Sequence, residues 1–324
     1  MARPPAPAVV MPVAPQPGGA SGRSLPAALL ASLRPEQWTK NGVVFAGLLF
    51  GAGESARRAQ LLTAGAIGRV VLAFVVFCGL SGVVYLVNDV LDREGDRRHP
   101  LKARRPIACG DLSPAAALAA AAVITSASLG LAFALGTRFG IVAAVYVALL
   151  GAYSMRLKHV VILDVITLAV GFVLRAAAGA IVIDVPISHW LLVCTILGAL
   201  FLALSKRRHE LVLLADGAAE HRRILGEYSP YLLDQMIGVV TASTLIAYIF
   251  YTISPETQVK FHTEWLGLTI PFPLYGIFRY LYLVHRKEGG GSPTTMLMND
   301  RPLLVCVALW AIAVIVIVYR PFGM

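Results

Sequence analysis

Residues 67–100 read IGRVVLAFVVFCGLSGVVYLVNDVLDREGDRRHP. The stretch 67–91 is almost wholly apolar and, as a helix, long enough to cross the roughly 30 Å hydrocarbon core of a bilayer. Open β-structure is excluded at that depth because its backbone N–H and C=O groups would go unpaired in lipid. At Asn88 the chain passes abruptly from hydrocarbon-compatible residues to dense charge, which places chemistry at a membrane boundary.

The rest of the chain has the same character. Of its 324 residues 57% are hydrophobic and only 14% charged, and the mean hydropathy is +0.73. Soluble domains carry about 25% charged residues. Apolar runs predict an all-α polytopic protein of about nine transmembrane helices around a central cavity. They lie near 41–53, 67–91, 115–136, 139–156, 160–183, 188–205, 235–254, 265–283 and 303–320. Residues 1–24, rich in Pro, Ala and Gly, read as a disordered tail and not as a signal peptide, and 25–324 as a single transmembrane domain. The four cysteines have no short paired spacing, so neither a disulfide framework nor a zinc site is indicated.

The formal net charge of +10 could suggest nucleic acid, but its distribution points to topology and an anionic substrate. The loops at 92–114, 156–159, 206–234 and 284–302 hold sixteen Lys and Arg, whereas the opposite set holds four, Arg57, Arg58, Arg138 and Lys260. By the positive-inside rule the first set and the N-terminus are expected in the cytoplasm of a plasma-membrane protein, with the C-terminus outside.

On a helix advancing about 100° per residue, Asn88, Asp92 and Asp96 form one oxygen-bearing stripe, one turn apart. Asp89 projects near Asp96, and Gly95 is where the helix is expected to loosen. Oxygen ligands without His or Cys suit a hard cation such as Mg2+, which keeps waters and shares the phosphate oxygens of a substrate. The following Arg97, Arg98, His99, Lys102, Arg104 and Arg105 add positive charge for the same polyanion. Surface ion pairing would explain interspersed signs, but not the NDxxDxxxD spacing against the membrane.

Three further segments interrupt apolar sequence with ionisable groups, which are functional candidates within spans. In YSMRLKHVVILDVITLAVGFVLRAAAGA (153–180) these are Tyr153, Lys158, Asp164 and Arg175. Asp164 and Arg175 share a helix face but stand about 16 Å apart along it, which calls for a deep cavity or a break near Gly171. In LSKRRHELVLL (204–214), Lys206, Arg207 and Glu210 share a surface, and in RPEQWTKN (34–41), Trp38 reads as a headgroup-level anchor and Lys40 as a phosphate contact or a snorkelling lysine.

With these motifs in place the chain resembles the UbiA superfamily of membrane transferases over most of 30–320, and the four segments together resemble its decaprenyl-phosphate phosphoribosyltransferase branch. The resemblance implies transfer of 5-phosphoribose from phosphoribosyl diphosphate to a polyprenyl phosphate, with release of diphosphate. It implies Asn88, Asp92 and Asp96 as metal ligands, with Asp89 beside them. Asp92, Asp96, Lys158 and Arg175 are expected in catalysis, and Lys40, Asp89, Arg105, Tyr153, Lys158, Asp164, Arg175, Lys206 and Arg207 in substrate binding. The partners it implies are the two substrates and the bilayer, with no nucleic acid, and a homo-oligomer is compatible with it.

Relatives that use prenyl diphosphates usually carry a second acidic pair near the fourth-to-fifth connection, whereas here no acid follows Asp164 until Asp184. That weighs against an aromatic prenyltransferase, the first alternative. An organic-anion transporter, the second, is opposed by the clustering of charge on one side, where alternating access favours a midplane site.

Overall fold

The computed structural model describes residues 22–98, 102–187, 189–214, 223–286 and 299–319. His99 and all of the expected tail except residues 22–24 lie outside them, as do Arg222 and Lys287 of the cation-rich loops. The described residues form helices and connecting turns with no strand.

Among the described residues seven helices are long and apolar enough to cross a membrane. They are α4 (Ala64–Leu91), α7 (Pro114–Leu135), α8 (Thr137–Met155), α9 (Leu163–Ile181), α10 (His189–Leu214), α11 (Pro230–Ile253) and α14 (Arg301–Tyr319). The other two expected crossings are shorter. The first combines a 3-10 segment, Pro35–Phe45, with α2 (Ala46–Ala52), and the eighth is the sixteen-residue α13 (Pro271–Arg286). Short helices α1 (Leu25–Ser32), α3 (Ser55–Leu61), α5 (Arg93–Arg98), α6 (Pro106–Cys109) and α12 (Pro255–Phe261) complete the described fold.

Local sequence sets the helix starts. Thr63, Ser113 and Ser229 each accept a hydrogen bond from the backbone N–H three residues on, and Pro114 and Pro230 follow the latter two in the first turn, where a missing N–H costs nothing. Between α7 and α8, Gly136 adopts φ 152°, a conformation open to glycine, and lets the chain reverse at once.

Within their apolar windows α9 is 61% buried and α4 56%, against 11% for α7, so α4 and α9 are inner helices and α7 faces lipid. Small residues allow close approach. A Cβ on Gly179 of α9 would overlap the Val44 carbonyl, and one on Gly47 would lie 2.7 Å from the backbone of Ala180, so the first segment is seated directly on α9. One core cluster gathers Phe77, Phe139 and Tyr146, with the Phe77 ring centroid 5.0 Å from that of Tyr146 at an edge-on angle of 72°. A second joins α9 to α10, α11, α13 and α14 through Val165, Leu204, Leu233, Tyr280 and Leu303.

Candidate active site

The bundle encloses a cavity of about 1690 Å3, larger than the roughly 300–1000 Å3 of ordinary ligand pockets. Its lining carries two chemistries. The acidic stripe with Arg34, Lys40, Arg105, Lys158, Arg175, Lys206 and Arg207 brings charge, and Phe172, Leu202, Ile277, Val307 and Trp310 give apolar wall. Such a space suits an amphipathic reaction, a charged ligand meeting a lipid chain.

The acidic stripe is preserved, although the helix does not break where the sequence suggests. The turn comes at Asp92, the C-cap of α4, and Gly95 lies inside α5. Asp92 N still donates to Asn88 O and Asp96 N to Asp92 O, both at 2.8 Å, so the one-turn spacing survives. Each carboxylate of the stripe holds a base. Lys158 Nζ is 3.0 Å from Asp92 Oδ1, and Arg105 Nη1 is 2.6 Å from Asp96 Oδ2 and 3.1 Å from Asp89 Oδ1. Arg34, not singled out in the sequence, reaches Asp89 at 2.5 Å and lies over the Tyr85 ring, from a backbone position with φ 53°.

Asn88 Oδ1 and Asp89 Oδ2 are buried oxygens without a hydrogen-bond partner among the described residues. Buried acceptors are seldom left unpaired. Among the described residues no three His, Cys, Asp or Glu side chains converge as a complete cage. A Mg2+ ion needs only one or two protein carboxylates when phosphates and water complete its shell. The hard oxygens of Asn88, Asp89, Asp92 and Asp96 fit that demand.

Arg175 also lines the cavity, from an α9 that runs unbroken through Gly171, so it stands about three turns along the helix from Asp164. Nε donates to Asn41 Oδ1 at 2.8 Å and Nη2 to the Tyr146 hydroxyl at 2.5 Å. Asn41, fully buried, is itself held to Cys78 and Ser81 of α4 at 3.3 and 3.2 Å. A guanidinium buried with only neutral partners keeps its charge available to an anion.

Asp164 stands apart from the other expected substrate contacts. It is fully buried, does not line the cavity, and accepts from Arg207 Nε and the Tyr228 hydroxyl, each at 2.8 Å. Glu210 binds Arg207 Nη1 from the other side at 2.6 Å, leaving Arg207 on the cavity wall but tightly oriented. Tyr153 and Lys206 line the cavity as well. Trp38 is half-buried and donates to Leu33 O at 3.3 Å, so its indole is tied to the chain.

Lys40 lines the cavity together with the cations Arg34, Arg175 and Lys206. Positive charge gathered on one space attracts an anion into it.

Residues 42–299 match the model of the UbiA prenyltransferase family. The chain belongs to this family. Among its UbiA relatives, decaprenyl-phosphate phosphoribosyltransferase of Mycolicibacterium smegmatis is 33% identical over 304 residues, 91% of this chain and 93% of the relative. The Corynebacterium glutamicum enzyme of the same name is 32% identical, over 92% and 88% of the two chains. A solved UbiA homologue from Archaeoglobus fulgidus, bound to GPP and Mg2+, superposes with a TM-score of 0.68 at 18% identity, covering 90% of this chain and 99% of that one. The UbiA fold and a multi-pass membrane protein are thereby established. Arg34, Asn41, Tyr146 and Tyr228 escaped the sequence reading because each acts through a partner at least 29 residues away. A polar residue in an apolar surround, as Asn41 is in NGVVFAGLLF, is the one local signal they gave.

Proposed function

We propose that this protein transfers 5-phosphoribose from phosphoribosyl diphosphate to a polyprenyl phosphate, releasing diphosphate at the cytoplasmic face of the plasma membrane. The observation that carries the reading is the sign of the charge that lines the cavity beyond the acidic stripe. Asp164, the one acid of the second region, is turned away into Arg207 and Tyr228, and the cavity is met there by Lys40, Arg175, Lys206 and Arg207. A prenyl diphosphate with two metals needs a second set of acids, whereas a donor with phosphate at both ends needs cations. The two relatives named above carry this activity in their names.

In this reading an oxygen of the acceptor phosphate forms a bond to the anomeric carbon of ribose. The bond from that carbon to diphosphate breaks, and diphosphate leaves with the electron pair. The acceptor is already an anion, so no general base is required. Asn88, Asp89, Asp92 and Asp96 would hold Mg2+, which supplies charge neutralisation on the leaving group when bound. Lys158 and Arg105 stand beside the same phosphates, and Lys40, Arg175, Lys206 and Arg207 hold the opposite end of the donor, so that catalysis rests on positioning and on fixed positive charge. The apolar wall takes the first isoprene units of the acceptor, and the remainder lies in the bilayer. The Lys and Arg bias of the loops supports the cytoplasmic orientation.

The test is purified protein in detergent with Mg2+, labelled phosphoribosyl diphosphate and decaprenyl phosphate. A labelled phosphoribosyl lipid is expected, without any transmembrane gradient. No such lipid, together with prenylation of an aromatic acceptor from a prenyl diphosphate, would overturn the reading.

A further inference from the structure

Tyr228 occupies an unusual place. It follows the 3-10 turn Arg223–Glu227 and precedes Ser229 and Pro230, which cap and open α11. Its ring is buried in the second core cluster, and its hydroxyl faces α9 rather than its own helix. There it accepts from the backbone N–H of Ile162 at 2.7 Å and donates to Asp164 Oδ1 at 2.8 Å. Burial foremost pushes this hydroxyl up to about 12, so it remains a donor at neutral pH.

Both of its partners matter. Ile162 is a β-branched residue at φ 70°, a conformation that persists only when the surroundings hold it. The backbone just before it is the turn Leu157–His159, which carries Lys158 to Asp92, and the Arg223–Glu227 turn packs against it. Asp164 in turn carries Arg207, whose guanidinium lines the cavity. One hydroxyl therefore ties together two of the cavity's cations, Lys158 and Arg207, which come from different elements.

We propose that Tyr228 is a positioning residue for the donor. Its hydroxyl fixes the strained backbone at Ile162 and the Asp164 carboxylate, and through them orients Lys158 and Arg207 toward the phosphates. Tyr228 touches no substrate. The oxygen must both accept and donate, which phenylalanine cannot do, while the ring alone would serve the core. This inference rests on the reading of the cavity as a donor site, although it holds for any diphosphate donor.

The experiment is a double-mutant cycle read by direct binding of phosphoribosyl diphosphate with Mg2+ and by steady-state kinetics. Tyr228→Phe keeps the ring, and it should weaken donor binding and raise the donor KM roughly tenfold with kcat changed by less than about threefold. In an Arg207→Gln background the same change should cost clearly less, because the two residues act as a unit. Asp164→Asn, which still accepts from Tyr228 but meets Arg207 without charge, should shift donor KM in the same sense. Wild-type donor binding by Tyr228→Phe, or an equal loss in both backgrounds, would overturn the proposal, as would failure of both Tyr228→Phe and Asp164→Asn to assemble. If the wild-type protein does not use phosphoribosyl diphosphate, the functional reading falls by itself, and the same cycle is read with geranyl diphosphate.

Discussion

Lys158 Nζ stands 3.0 Å from Asp92 Oδ1, joining the turn before α9 to the C-cap of α4 across 66 residues of sequence. Asp92 is half exposed in this pair, so the contact is weak and exchangeable. Its lysine and its carboxylate are both free to turn to a ligand.

Asp92→Asn should therefore leave folding nearly intact and reduce turnover by on the order of 10²–10³-fold, the usual cost of removing one preorganised electrostatic group. Thermal unfolding in detergent and a Mg2+ titration of activity check both halves. Near-normal, Mg2+-dependent turnover would remove Asp92 from the metal site.

Arg175→Lys retains the charge but cannot donate to Asn41 and Tyr146 in the same plane. Donor KM should rise about tenfold or more, with the midpoint of unfolding lowered as well, since Asn41 and Tyr146 lose buried hydrogen bonds worth roughly 1–3 kcal/mol. A stability loss with an unchanged donor KM would make Arg175 purely structural.

Lys40 lines the cavity, so Lys40→Ala should raise the donor KM about tenfold while unfolding in detergent is little changed, and Lys40→Arg, which keeps the charge, should retain most of the donor affinity. An unchanged donor KM in Lys40→Ala would remove this residue from the donor site.

Gly179→Ala tests the seating of the first segment. The added methyl meets the Val44 carbonyl, a backbone atom that cannot rotate away. A loss of about 1–3 kcal/mol or more is expected, seen as reduced yield of folded protein. Gly65→Ala, where nothing lies within 4 Å of the new methyl, is the matched control and should be tolerated.

Much of this protein is legible in one dimension because a membrane imposes one-dimensional rules. Lipid forces apolar runs into helices, and charge at their ends fixes where polar chemistry can sit. The two crossings that fall short, the 3-10 and α2 segment and α13, are where polar residues interrupt the apolar run, Glu36, Lys40 and Asn41 in the first and Arg279 and His285 in the second. The acidic stripe was equally readable, because i and i+4 residues share a helix face whatever surrounds them.

Partner choice across helices was not readable. Asp164 and Arg175 lie on one helix and look alike as intramembrane charges, yet one is locked to Arg207 and Tyr228 and the other opens to the cavity beside Asn41 and Tyr146. The sequence by itself determined the helices, the boundary where charge accumulates and the oxygen-rich stripe at Asn88, Asp92 and Asp96. Only the tertiary structure decided which cations face that stripe and which acid is withdrawn from it. The reason is physical: helix geometry is local, while the pairing of buried charges depends on which elements the packing brings within about 3 Å of one another.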